Sequence, residues 1–83
     1  MLRRELKYGY LENDDAIILN DVSYLFVKNK QSSLEEGYII INDNNMGISL
    51  EVGEKKFYSS DFIDLGKVEI ICGNNSIIEF EYY

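Results

Sequence analysis

No residue of this chain is a histidine. That removes the side chain that most often acts as general base and as activator of a serine or cysteine nucleophile. Composition therefore excludes Ser/His/Asp and Cys/His devices. A serine–lysine pairing has Ser59 and Ser60 close in sequence to Lys55 and Lys56. A lysine activates a neighbour only when burial or a second cation depresses its pKa, and these two fall on a segment that reads as an exposed strand. Cys72 ends the apolar run Val68-Glu69-Ile70-Ile71-Cys72. With no basic activator it reads as a buried structural thiol.

Paired carboxylates can do acid–base work when one of the two is kept protonated. Asp14 with Asp15, Glu35 with Glu36, and Asp61 with Asp64 are such pairs in sequence. Each lies in a polar, turn-like stretch, where water ionises both members and leaves no proton donor at neutral pH. The run Asn42-Asp43-Asn44-Asn45-Met46-Gly47 superficially follows a calcium loop. Counted from Asp43, its sixth residue is Ile48 rather than glycine, so the sharp bend such a loop needs is misplaced. A tight turn accounts for the run better. No glycine-rich phosphate loop is present, and no catalytic residue, metal ligand or cofactor is expected.

Composition points to binding by surface alone. Fifteen acidic and eight basic residues give a net charge of −7. Direct contact with nucleic acid or an anionic membrane is disfavoured, because both require clustered Lys and Arg. A protein partner with a basic surface is favoured, because complementary potential steers encounter. The longest uninterrupted apolar runs, such as Tyr38-Ile39-Ile40-Ile41, fall far short of the ~20 residues of a membrane span. Met1-Leu2-Arg3-Arg4-Glu5 is not followed by an apolar segment, so no signal peptide is expected. With a free thiol and no leader, the expected location is the cytoplasm, or a host's cytoplasm.

The elements that must carry this surface are strands. A chain of 83 residues suits one domain, which buries only about 60–65% of its unfolded surface and so needs a core dense in large apolar residues. Hydrophobic residues make up 46% of the chain, with many β-formers among them. Leu6–Leu11, Ala16–Leu19, Val22–Lys28, Tyr38–Ile41, Ile48–Val52, Lys55–Tyr58, Lys67–Cys72 and Ser76–Tyr82 are strand-like runs. Turn residues at Glu12–Asp15, Asn20-Asp21, Asp43–Asn45, Gly53-Glu54 and Gly73–Asn75 separate them. Gly53-Glu54 is expected to close a hairpin between the run in which Ile48, Leu50 and Val52 share a face and Lys55–Tyr58.

In the last run Ile78, Phe80 and Tyr82 share one face, while Ile77, Glu79 and Glu81 share the other. Tyr38–Ile41 is apolar on both faces and is placed near the centre. Ser33-Leu34-Glu35-Glu36 suits one serine-capped helical turn. Ser59–Gly66 suits one or two turns with Phe62 and Leu65 inward. The expected fold is mostly β: a single small domain, residues 1–83, of about seven short antiparallel strands. It closes as a roll, small barrel or curved sheet, with at most one short helix near residues 60–65.

Seven tyrosines are many for this length. Tyrosine buries contact area at low entropic cost while keeping a polar tip. Tyr8 and Tyr10 share a strand face, and Tyr82 and Tyr83 end the chain. The expected partner-binding residues are Tyr8, Tyr10, Glu12, Asp14, Asp15, Glu35, Glu36, Asp61, Asp64, Glu79, Glu81 and Tyr83. The function they suggest is that of a small non-enzymatic binding protein, an inhibitor of the phage or mobile-element type. It would dock an acidic, tyrosine-bearing face onto a basic nucleic-acid-handling protein. The alternative is a β-roll scaffolding module forming homodimers through exposed edge strands, with Tyr38–Ile41 and Ile77–Tyr83 as its edges.

Overall fold

A computed structural model describes residues 6–42, 47–59 and 65–83. Its strands are β1 (Lys7–Glu12), β2 (Ala16–Val22), β3 (Tyr24–Asn29), β4 (Gly37–Ile41), β5 (Ile48–Leu50), β6 (Lys55–Ser59), β7 (Gly66–Ile71) and β8 (Ile77–Tyr82). They form two four-stranded sheets, ordered β1-β8-β3-β6 and β2-β7-β4-β5, and every pairing is antiparallel. This strand order is that of an eight-stranded jelly roll, in which the chain crosses repeatedly between two facing layers.

Period-two patterning explains why the layers face each other. Leu25 and Val27 of β3 and Ile78 and Phe80 of β8 point inward from the first sheet. Ile39, Val68 and Ile70 point inward from the second, and all of these are buried. Leu65, just before β7, is fully buried in the same core.

Three features differ from the sequence reading. The strands number eight where about seven were expected, and Asn20-Asp21, expected as a turn, does not end a strand. β2 runs through it to Val22 by a bulge between Leu19 and Val22, with Asp21 at φ 54°; aspartate tolerates this left-handed conformation well.

Ser33–Glu36 is not helical. A capping serine accepts from the helix it starts, but Ser33 instead reaches across to β8. Its hydroxyl donates to Ile77 O (3.2 Å) and accepts from Ile77 N (2.9 Å). The Glu35 amide donates to Ser76 Oγ (2.9 Å).

Gly53-Glu54 does not close a hairpin either, since β5 and β6 lie in opposite sheets; the turn carries the chain from one layer to the other. Val52, grouped with Ile48 and Leu50 by alternation, is turned outward there with 40% exposure.

β4 lies inside its sheet, as expected, between β7 and β5. One of its faces is nonetheless wet: Tyr38 is 40% exposed. β8 is also internal, between β1 and β3. Tyr38 and Ile39 of β4 and residues 78–82 of β8 are paired on both sides, so neither strand is an edge of its sheet. The edges are β1, β6, β2 and β5. The turn expected at Asp43–Asn45 and the helix expected near residues 60–65 fall on or across residues outside those described. Among the described residues no helix is long and apolar enough to cross a membrane.

Candidate functional site

The expected contact residues separate into two surfaces. Asp14, Glu35 and Glu36 gather at one end of the roll, around a groove of about 700 Å³ that Leu34, Tyr38, Glu51, Val52, Ile71, Cys72 and Gly73 complete. Tyr8, Tyr10, Glu12, Glu79, Glu81 and Tyr83 lie together on or beside the outer face of the β1-β8-β3-β6 sheet, with Tyr8 opposite Glu81 and Tyr10 opposite Glu79. Asp15 belongs to the β1–β2 turn, and its carbonyl accepts from Cys72 N (2.9 Å). Asp61 and Asp64 lie outside the described residues.

The groove is assembled from loop segments pinned by polar contacts, several of them part-buried. On one side, the Asp14 amide donates to Gly73 O (3.1 Å). On the other, the Glu35 backbone is held by Asn29 Nδ2 (3.0 Å to Glu35 O) and by Ser76 Oγ. The Glu35 carboxylate accepts from Asn74 N (2.7 Å). Residue 73 must be glycine for this closure, since a Cβ there would lie 2.7 Å from Glu35 Cβ and 2.8 Å from Glu36 O. The Leu34 amide is tied to Asn75 O (3.3 Å), and its side chain stands 73% exposed. Leu34 and Val52 thus present apolar surface among the carboxylates of Asp14, Glu35, Glu36 and Glu51.

Glu36 is the most constrained of these acids. Its carboxylate accepts from Tyr38 Oη (2.7 Å) and from Ser49 Oγ (2.9 Å). Ser49 Oγ also lies 2.9 Å from a Glu51 oxygen, so one hydroxyl proton stands between two carboxylates. The Tyr38 hydrogen bond, followed by that of Ser49, holds the Glu36 carboxyl below the ordinary range, against some desolvation. The same bond, with the Glu36 charge, raises the Tyr38 phenol. Nearby, Lys56 Nζ donates to Ser49 O (2.8 Å) and lies 3.9 Å from Glu54. No described lysine forms an ion pair with Asp14, Glu35, Glu36 or Glu51.

A carboxyl whose folded pKa is lowered contributes stability above its unfolded pKa and loses it as pH falls through the folded value. Tyr38→Phe is accordingly expected to move the Glu36 titration upward toward the ordinary carboxylate range. Carboxyl-carbon NMR across the acid range reads this shift; an unmoved Glu36 midpoint would refute the assignment.

Cys72 is 2% exposed. Its Sγ–H donates to Ser76 O, with sulfur and oxygen 3.2 Å apart, and burial pushes the thiol pKa up, with Asp14 and Asp15 adding to the effect. It remains a protonated packing residue at neutral pH. Among the described residues no cluster of three or more His, Cys, Asp or Glu is placed to hold a metal.

The outer sheet face carries exposed aromatic side chains. Tyr8 is 70%, Tyr10 65% and Phe57 66% exposed. Tyr83 stacks on Tyr24, with centroids 5.1 Å apart, and Phe26 packs against Phe57 at 4.8 Å. Leu34, Tyr38, Glu51, Val52 and Phe57 were not among the expected contact residues. For Phe57 the signal was present: in Lys55-Lys56-Phe57-Tyr58-Ser59 it shares a strand face with Lys55. The chain matches no family model, no curated protein and no solved structure, so the chemistry of these two surfaces is what bears on its partner.

Proposed function

We propose that this chain is a small non-enzymatic binding protein that seats a basic, partly apolar segment of another protein in the groove between Glu35-Glu36 and Glu51-Val52. The observation that carries this reading is the composition of the groove: its lining combines exposed Leu34 and Val52 with four carboxylates, and no ion pair joins those carboxylates to a described lysine. Such a surface offers desolvation energy to an aliphatic side chain and an unmet charge to flanking Arg or Lys. A basic surface that handles nucleic acid is the partner class it suits best, with carboxylates standing where phosphates would lie. Occupying such a surface inhibits it.

The test uses the immobilised chain to capture partners at low salt, comparing native protein with the variant Glu35→Lys/Glu36→Lys and with Leu34→Ala. The candidate partner is then purified and titrated by calorimetry between about 0.05 and 0.5 M salt. Charge reversal is expected to weaken binding about 10- to 100-fold at low salt, and Leu34→Ala several-fold at every salt concentration. Leu34→Ala is informative because an exposed leucine contributes little to folding. A partner indifferent to both variants, or one whose binding survives high salt unchanged, would overturn the proposal.

A further inference from the structure

The outer face of the β1-β8-β3-β6 sheet is divided lengthwise by chemistry. The register aligns Tyr8, Glu81, Phe26 and Phe57 in one row across the four strands, and Tyr10, Glu79, Lys28 and Lys55 in the next. The β1–β8 half therefore carries two tyrosines and two glutamates, and the β3–β6 half two phenylalanines and two lysines. None of these four charges makes an ion pair within the protomer. Tyr8, Tyr10 and Phe57 are each 65–70% exposed on this face, the tyrosines on one edge strand and Phe57 on the other, and offer aromatic surface for a partner to cover.

The geometry points to a second copy of this chain as the occupant of that face, packed about a two-fold axis parallel to the strands at the β8–β3 boundary. That axis lays β1-β8-β3-β6 of one protomer against β6-β3-β8-β1 of its partner. Each row then meets its own reverse. Tyr8 covers the partner's Phe57, Tyr10 covers the partner's Lys55, and Glu79 faces the partner's Lys28. The Glu79–Lys28 contact occurs twice, once on each side of the axis, as an isologous interface requires.

A two-fold axis across the strands instead sets Glu81 against the partner's Glu79 and is opposed by like charge. Facing sheets with nearly aligned strands are a common packing. Four strands at ~4.8 Å and about six residues at ~3.4 Å give a face of about 400 Å² per protomer. That is about half of a standard-size interface. The dimer is therefore weak and concentration-dependent. It uses the sheet face and leaves the groove free, so it stands independently of the function proposed above.

Sedimentation velocity over a concentration series tests it. Native protein is expected to shift reversibly from monomer to dimer with rising concentration. Glu79→Lys and Lys28→Glu are each expected to weaken dimerisation about tenfold or more. Mixed in equal amounts, the two variants are expected to associate with each other to within about threefold of the native affinity, because each contact then pairs opposite charges. That recovery separates contact between protomers from any effect within one. Glu35→Lys/Glu36→Lys, in the groove, leaves the dimer unchanged. A native protein that stays monomeric at every concentration overturns the proposal. So does a dimer indifferent to both single variants, or a mixture that does not associate.

Discussion

Replacing Gly37 by alanine is expected to lower the melting temperature by about 10–20 °C. Gly37 opens β4, is buried, and pairs with Leu50. A Cβ built there would lie 2.3 Å from Ile78 Cδ1 and 2.7 Å from the Ile71 carbonyl oxygen. Neither neighbour gives way cheaply. Ile78 is fully buried in the core, and Ile71 O is backbone of β7, the strand β4 pairs with. Relief requires β4 and β7 to separate or Ile78 to leave its rotamer. Overpacking of that kind costs about 2–3 kcal/mol, and each kcal/mol is worth roughly 4–8 °C in a domain this small. Gly47→Ala is the control: a Cβ there meets only Tyr38 and Ile40 side-chain atoms at 3.7–3.8 Å, ordinary contact at an exposed position, and is expected to be nearly neutral. Thermal melts of both variants by circular dichroism decide the matter. If Gly37→Ala melts within two or three degrees of the native protein, the close approach of β4 to β7 and β8 is wrong.

Gly37 also shows where reading the sequence ends. The individual strands were legible because side-chain alternation is a local property. Ile78 and Phe80 on one face, with Ile77, Glu79 and Glu81 on the other, follow from chain geometry alone. Tyr8 and Tyr10 could be placed on one exposed face for the same reason. Which strands face each other was not legible. Gly53-Glu54 and Gly73–Asn75 carry turn residues whether they close a hairpin or pass the chain between layers, and here they pass it between layers. The groove depends on that choice. Its acids come from the β1–β2 turn, the loop before β4 and the residue after β5, and only the crossings bring them together. Tyr38 was assigned to a strand without a wet face because its neighbours are isoleucines. In the sheet its hydroxyl finds Glu36, two residues back along the chain, and the register of β4 against β5 brings Ser49 to the same carboxylate. Asn29 was the most opaque position. At the head of a long polar stretch it has the composition of a turn, yet it is fully buried.

Asn29 is expected to be the most sensitive polar position in the molecule. Its Nδ2 donates to Glu35 O (3.0 Å) and Leu50 O (3.1 Å). Its backbone accepts from Gly53 N (2.8 Å) and donates to Glu54 O (3.0 Å). One residue thus ties the Leu34–Glu36 wall of the groove to the Glu51–Val52 wall. Asn29→Ala takes one donor from Leu50 O and one from Glu35 O, which keeps the Ser76 hydroxyl (3.3 Å), and opens a small cavity, at a cost of about 1–3 kcal/mol. Part of the loss is offset because Oδ1, which accepts no hydrogen bond, is removed with the amide. Asn29→Asp is expected to be worse at neutral pH, since it sets a carboxylate against the same two carbonyls. Burial and carbonyl contact raise the pKa of the introduced carboxyl, and its protonated form restores one donor. A raised folded-state pKa makes this stability present at low pH and lost as pH rises through that value. Asn29→Asp should therefore recover part of its deficit in acid, whereas Asn29→Ala should not. Urea denaturation at several pH values reads the two curves, and hydrogen exchange at the Gly53 amide reads the loosening of the groove. Equal, pH-independent losses for both variants would show that the side-chain amide does not hold the two walls together.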